Sequence, residues 1–238
     1  MMARGGSPAD ARRLTTNSLG RSDYDRSPII SCPFEESKML ESVPMLIAIE
    51  GLDQSGKATQ AQLLRDDLRQ RGARARLASF PDYGTSIGEE IARALQGERD
   101  YGPEVMQLLY IANRYERKAD LERWLEGGLV VVCDRYVASS VAYGEAQGLD
   151  VDWLSQIQRF LPVPSVTILL DIAPELAVER KAAGRDRYER DLRLLGRVRD
   201  SYLRQAEQSN WVRIDGDRAR GEVAAEVFAT LAERISPV

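Results

Sequence analysis

From Met45 onward the chain alternates short apolar runs with longer stretches in which apolar residues recur every three or four positions. The runs at 46–50, 74–80, 129–134, 166–171 and 211–215 predict strands. They are continuous rather than alternating, as expected for strands covered on both faces. Helical periodicity predicts helices at 57–71, 85–96, 103–126, 151–160, 174–181, 188–209 and 220–235. Strands separated by helices of this length need crossover connections, and therefore a parallel sheet with helices on both sides. No repeat is present. The expectation is one α/β domain over 45–238, with a five-stranded parallel sheet.

Residues 1–44 follow no such pattern. Four prolines and seven serines without sustained periodicity predict an unstructured leader. Arg4, Arg12, Arg13 and Arg21 give it some character of a transit peptide, but Asp23, Asp25, Glu35 and Glu36 dilute that signal. It lacks the apolar core of a secretory signal. The expectation is a dispensable leader, or a translation start that belongs at Met45.

Composition narrows the chemistry. The chain has 238 residues, a formal net charge of −4 and 29% charged residues. That balance suits an ordinary globular domain and gives no broad field for DNA or anionic membranes. No apolar run approaches the ~18 residues of a membrane-spanning helix. There is no histidine, which removes imidazole bases, Ser-His-Asp machinery and nearly all mixed zinc sites. Two cysteines, Cys32 and Cys133, are too few for a thiolate cluster or a disulfide framework, and Cys133 lies in an apolar run as a buried thiol. A reducing, cytoplasmic compartment is expected. Catalysis then falls to Lys, Arg, Asp, Glu, Tyr and a bound metal.

The first strand is followed by Gly51-Leu52-Asp53-Gln54-Ser55-Gly56-Lys57-Ala58-Thr59. GxxxxGK between a strand and a helix is a P-loop: glycines let backbone amides wrap phosphate oxygens, and Lys57 reaches the β- and γ-phosphates of a nucleotide. Ala58 stands where a Ser or Thr hydroxyl would ordinarily hold Mg²⁺. Thr59 points about 100° away on the helix and does not simply replace it. Mg²⁺ needs only one or two carboxylates beside waters and substrate phosphates, and Asp53 and Asp134 are the candidates. At the end of the third strand, Asp134-Arg135-Tyr136 falls at the carboxyl edge, where open α/β sheets bind ligands. Tyr110 and Arg114, four residues apart on one helix face, set an aromatic plate beside a multi-donor guanidinium, a pair suited to stacking on a base and bonding its edge.

These segments, with Ile49-Glu50-Gly51, Phe80-Pro81, Asn113-Arg114 and Arg187-Tyr188-Glu189, occur in an order and spacing that resemble thymidylate kinase, the P-loop family that phosphorylates dTMP. The resemblance spans 45–238. Other nucleoside monophosphate kinases share the cradle but not the set of Asp53, Phe80-Pro81 and Asp134-Arg135-Tyr136. The resemblance implies a P-loop NTPase-type sheet and ATP as donor with Mg²⁺. It implies that Tyr110 stacks on thymine, Arg114 bonds the base edge and Ser140 faces the base. It also implies that Tyr143 lines the deoxyribose, and that Phe80 and Tyr83 close around sugar and phosphate with Tyr188. Arg135 would grip the acceptor phosphate, with Asp53 beside it. A lid at about 181–188 would cover the ATP phosphates. Because Gln54 leaves the P-loop without an arginine, Arg187 or Arg185 would supply charge at the transition state. The family's habit is a homodimer.

The implied reaction is ATP + dTMP giving ADP + dTDP by direct in-line transfer. Three alternatives stand beside it: a deoxynucleoside kinase, a kinase for another monophosphate, and a nucleotide-binding module that no longer catalyses, the last motivated by Ala58.

Overall fold

The computed structural model describes residues 44–180 and 191–235, so the expected leader (1–44), apart from Pro44, and the expected lid (181–188) lie outside the described residues. Strands β1 (Met45–Glu50), β2 (Ala75–Ser79), β3 (Val130–Asp134), β4 (Val166–Asp171) and β5 (Trp211–Asp215) form one parallel sheet in the order β2-β3-β1-β4-β5. All five expected strands are present, with ends shifted by a residue or less. The central strand β1 has all six residues buried. Its side chains alternate between faces: Met45, Ile47 and Ile49 pack with Ala61, Leu64 and Leu68 of α1 (Lys57–Gln70), while Leu46 and Ala48 face Leu121 and Tyr136 on the other side. Covered on both faces, these strands have no polar side, which is why they are continuous apolar runs.

The remaining described helices are α2 (Ser86–Leu95), α3 (Pro103–Glu116), α4 (Lys118–Glu126), α5 (Val137–Ala146), α6 (Val151–Gln158), α7 (Pro174–Arg180), α8 (Leu192–Gln205) and α9 (Arg220–Ile235). Three differ from expectation. The helix expected at 103–126 is two helices, broken at Arg117, whose side chain pairs with Asp82 at 3.2 Å and Asp120 at 2.8 Å. The break lets α4 lay Leu121 against β3 while α3 keeps its face toward the 80–85 turn. Helix α5 was not expected at all. Seven of its ten residues are buried, so it carries no one-sided apolar stripe from which a period could be read. The helix expected at 188–209 is α8, shorter at its C-terminal end, with Asp191 capping its start.

Register brings the functional ends together. Ile49 of β1 lies opposite both Asp134 of β3 and Ile168 of β4, so the chain leaves β1 and β3 at the same level and side by side. Cys133 is fully buried and free, and burial pushes its thiol well above the ordinary range. Among the described residues no helix is long and apolar enough to cross a membrane.

The turn after β2 is fastened to α3. Buried Asn113 accepts from the Asp82 amide at 2.7 Å, and donates to the Asp82 carbonyl at 3.2 Å and to Thr85 Oγ1 at 2.8 Å. Helix α2 closes over this turn at Gly88, where a Cβ would sit 1.8 Å from the Asp82 carbonyl oxygen and 2.8 Å from Tyr83 Cα. Both neighbours are backbone and cannot swing away. Gly88→Ala is expected to destabilise the chain by about 1–3 kcal/mol as overpacking, a fall of roughly 3–10 °C in Tm for a chain of this size. An unchanged Tm in a thermal scan would contradict this packing.

Candidate active site

The loop from Gly51 to Gly56 is shaped for an anion. Gly51 has φ +140°, and a Cβ there would meet the Leu170 carbonyl oxygen at 2.4 Å, so only glycine lets β1 pass β4 and turn. Gln54 takes φ 66°, a left-handed conformation that a non-glycine residue holds at some cost. Gly56, with φ +93°, caps α1 without a side-chain hydrogen bond, which leaves the first amides of the helix open toward the loop. Ser55 Oγ is buried and has no hydrogen-bond partner among the described residues. Lys57 is 5% exposed; its Nζ donates to the Leu52 carbonyl at 2.6 Å and lies 4.0 Å from Asp53 Oδ1. Open amides, an unpartnered hydroxyl and a buried ammonium together fit a polyphosphate.

Arg135 faces this loop from the end of β3. It too is left-handed, at φ 63°, and its amide is tied to the Ile49 carbonyl at 3.0 Å. Nη2 donates to Asp53 Oδ1 at 2.5 Å and to Tyr143 OH at 3.4 Å. Nη1 donates to the Gly51 carbonyl and Ser139 Oγ, each at 3.2 Å, and to Tyr202 OH at 3.3 Å. Burial by itself would raise the Asp53 carboxyl. The charges of Arg135 and Lys57, with hydrogen bonds from Arg135 and Tyr143, outweigh it and hold that group well below the usual carboxylate range. Burial opposes the charge on Arg135, and Asp53 more than restores it. The pair is therefore charged on both sides.

All the residues carried over for the acceptor that fall among the described ones line one cavity of about 110 Å³: Asp53, Phe80, Tyr83 and Tyr110 with Arg114, Arg135, Ser140 and Tyr143. Arg114 is 3% exposed, donates from Nη1 to Ser140 Oγ at 2.7 Å, and leaves a buried Nε–H without a partner among the described residues. Burial lowers its pKa, and Glu50 offsets this only in part. Tyr83 is half exposed at the mouth. Arg185, Arg187 and Tyr188 lie outside the described residues.

For the metal, Asp53 and Asp134 differ. Both Asp53 oxygens are engaged, Oδ1 by Arg135 and Oδ2 by the Tyr143 hydroxyl at 3.1 Å. Among the described residues the Asp134 carboxylate makes no hydrogen bond and no ion pair. Burial raises its pKa, and Lys57 and Arg135 counter that in part. No group of three or more Asp, Glu, Cys or His that could hold a metal occurs among the described residues. One free carboxylate beside a phosphate cradle suits Mg²⁺, which keeps waters and takes phosphate oxygens. Ala58 is exposed and Thr59 half-buried, with no hydroxyl supplied at position 58.

Sequence reasoning missed several members of the site. Glu50 and Tyr202 form a buried layer beneath Arg135 together with Ser139. Gln107 lines the acceptor cavity with its Oε1 buried and unpartnered among the described residues. It lies three residues before Tyr110 and seven before Arg114, so its position on their helix face was a signal that could have found it. Arg180 bonds the Gln54 carbonyl at 3.3 Å and the Gly216 carbonyl at 3.2 Å, joining the P-loop to the turn after β5. Tyr202, some seventy residues after Arg135, left no local trace.

The parallel sheet with its phosphate loop after the central strand defines a P-loop NTPase fold. A family profile described as thymidylate kinase matches residues 49–227. The chain is 35% identical over 190 residues to the thymidylate kinase of Arabidopsis thaliana, covering 80% of this chain and 72% of that one. It is 37% identical over 193 residues to the probable thymidylate kinase of Pyrococcus abyssi, covering 78% and 94%. The solved thymidylate kinase of Candida albicans superposes with a TM-score of 0.72 at 28% identity, over 80% of this chain and 92% of that one. The chain belongs to the thymidylate kinase family, as its motifs implied.

Burial first, and then the neighbouring Arg135, pushes Lys57 down to about 8, with Asp53, Asp134 and Glu50 offsetting part of the shift. A phosphate placed against Lys57 restores the charged form. Polyphosphate binding at a pH above about 8 therefore takes up a proton, and affinity falls as pH rises through that value. Calorimetry with ADP in buffers of different ionisation enthalpy should show this uptake above the transition and little of it below. Affinity that stays flat across the window would contradict a depressed Lys57.

Proposed function

We propose that this protein transfers the γ-phosphoryl group of ATP to the 5′-phosphate of dTMP, giving ADP and dTDP. The observation that best supports this reading is the convergence of Tyr110, Arg114, Ser140 and Tyr143 with Arg135 in one cavity beside the P-loop. A base-sized slot with an unpartnered guanidinium N–H at one end and a charged arginine at the other suits a nucleoside monophosphate. A nucleoside would leave Arg135 without its anion.

In this reading the P-loop amides and Lys57 hold the donor phosphates, and Arg135 holds the acceptor phosphate, turned toward them by Asp53. The acceptor oxygen is already ionised near neutral pH, since the second pKa of a phosphomonoester is about 6. No strong general base is needed, which suits a chain without histidine. Catalysis is then positioning plus cancellation of charge between two polyanions. Asp134, with waters and phosphate oxygens, would hold Mg²⁺, which when bound neutralises charge building on the transferred group. Arg185 or Arg187 is assigned the remaining transition-state charge. Arg114 and Gln107 read the edge of the base while Tyr110 stacks on its face. Assembly as a homodimer comes to this reading from the family resemblance alone, and a cytoplasmic location from cysteine usage that suits a reducing compartment.

The test is ADP release from Mg-ATP by the full chain with dTMP, dUMP, dCMP or thymidine as acceptor. Turnover should depend on a monophosphate, favour dTMP and vanish in Lys57→Ala. Arg114→Ala should raise KM for dTMP by roughly 10- to 100-fold, the loss expected for a hydrogen bond to a charged group, while KM for ATP stays near its original value. Nucleotide binding without turnover on any acceptor would overturn the kinase reading and favour the binding module that Ala58 suggests.

A further inference from the structure

We infer that Glu50 is a positioning residue for phosphoryl transfer: it turns the hydroxyls of Ser139 and Tyr202 so that their lone pairs, not their protons, face Arg135. This rests on the reading above, in which Arg135 grips the acceptor phosphate.

Glu50 is the last residue of β1, is 0% exposed, and makes no ion pair among the described residues. Its two oxygens divide the work. Oε1 accepts the backbone amides of Tyr136 at 2.8 Å and Ser139 at 3.3 Å, which belong to the start of α5. Oε2 accepts the Ser139 hydroxyl at 2.6 Å and the Tyr202 hydroxyl at 3.1 Å. The amides can only donate, and a carboxylate can only accept. Each hydroxyl has one proton, so a hydroxyl that donates to Glu50 presents only lone pairs to its other neighbours. The shared neighbour is Arg135 Nη1, 3.2 Å from Ser139 Oγ and 3.3 Å from Tyr202 OH. Nη1 is an obligate donor, so its contacts to both hydroxyls are complementary, while the 2.9 Å contact between Ser139 and Tyr202 carries no proton when both donate to Glu50. With Nη1 and Nη2 anchored in this way, Nε makes no hydrogen bond among the described residues and is left for a ligand.

The amide-facing side of this arrangement makes an isosteric substitution informative. In Glu50→Gln the carboxamide must keep its oxygen on the two amides, because an NH₂ there would meet donors. Its NH₂ then faces the hydroxyls and donates to them. Ser139 and Tyr202 lie 2.9 Å apart, so one can donate to the other, but at least one proton is left facing the guanidinium. Volume is unchanged; the bonds between residue 50 and the two hydroxyls reverse their sense, and a hydroxyl proton is set against a guanidinium that can only donate.

Steady-state kinetics of the full chain tests this. Glu50→Gln should lower kcat/KM for dTMP by about 10- to 100-fold, with KM for ATP moving by less than about twofold. In an Arg135→Lys background, which lacks the planar fork, the same substitution should cost little, making the double-mutant cycle strongly non-additive. Tyr202→Phe removes one of the two hydroxyls while leaving Glu50 and its amide bonds. It should show the same pattern in weaker form, and it serves if Glu50→Gln does not fold. Equal weakening of ATP and dTMP, or an additive cycle, would make Glu50 a structural residue and overturn the inference. A readout without substrate separates this from the kinase reading: heteronuclear NMR of the ligand-free chain should show the Arg135 guanidinium restricted in rotation, and freed in Tyr202→Phe or Glu50→Gln. An unchanged guanidinium overturns the inference whichever acceptor the wild-type chain uses; a freed one supports it even if dTMP is not the acceptor.

Discussion

The ion pair between Asp53 and Arg135 joins the two halves of the site. Asp53 belongs to the phosphate loop after β1 and Arg135 to the turn after β3, and they meet because the register sets Ile49 opposite Asp134. Two polyanions have to be brought together at this edge. A lone guanidinium sunk there would lose its hydration with nothing in return. With Asp53 beside it, Arg135 stays charged, yet its donors are not exhausted. Such pairs add little net stability, because desolvation consumes much of the attraction, and with the Asp53 side chain 34% exposed solvent screens what is lost when this one is broken. The pair is better understood as fixing where a charge sits than as holding the fold together.

That placement depends on backbone held in unusual conformations. Gln54 and Arg135 both have left-handed φ without being glycine, conformations that cost of order 1–3 kcal/mol each and persist only where surroundings over-determine them. At Arg135 the surroundings are specific: the Ile49 carbonyl takes its amide, and Glu50 takes the next one along. Both come from the end of β1, directly before the phosphate loop. Distortion of the central strand would therefore be felt at once in the P-loop and in the turn that carries Arg135.

The sheet was legible because its three inner strands, β3, β1 and β4, are covered on both faces, which forces uninterrupted apolar runs, and the phosphate loop because its glycines and lysine must follow one another in sequence. Local signals failed where structure is decided by distant packing. Helix α5 is buried nearly all round and so has no period, although it carries Ser139, Ser140 and Tyr143. The break at Arg117 comes from ion pairs to Asp82 and Asp120 and not from a glycine or proline. Arg114 and Tyr110 could be read from their spacing on one helix. Glu50, Tyr202 and Asn113 could not be given roles from spacing, since each is defined by partners from 30 to 150 residues away.

Buried Arg114 and half-buried Arg135 line the same cavity in opposite environments, which in the proposed reaction would divide their labour. Arg135 is raised above the ordinary arginine value because Asp53 more than offsets burial, whereas Arg114 is lowered, burial prevailing over the more distant Glu50. Among the described residues Arg114 hydrogen-bonds through its side chain only to a neutral hydroxyl and keeps an unpartnered Nε–H. In the proposed reading, a buried donor in that condition is well satisfied by a carbonyl oxygen, so it would favour a base edge that presents one over an edge that presents an amino group. Selectivity of this kind needs no contact with a methyl group. It follows from leaving one strong donor buried and short of a partner among the described residues.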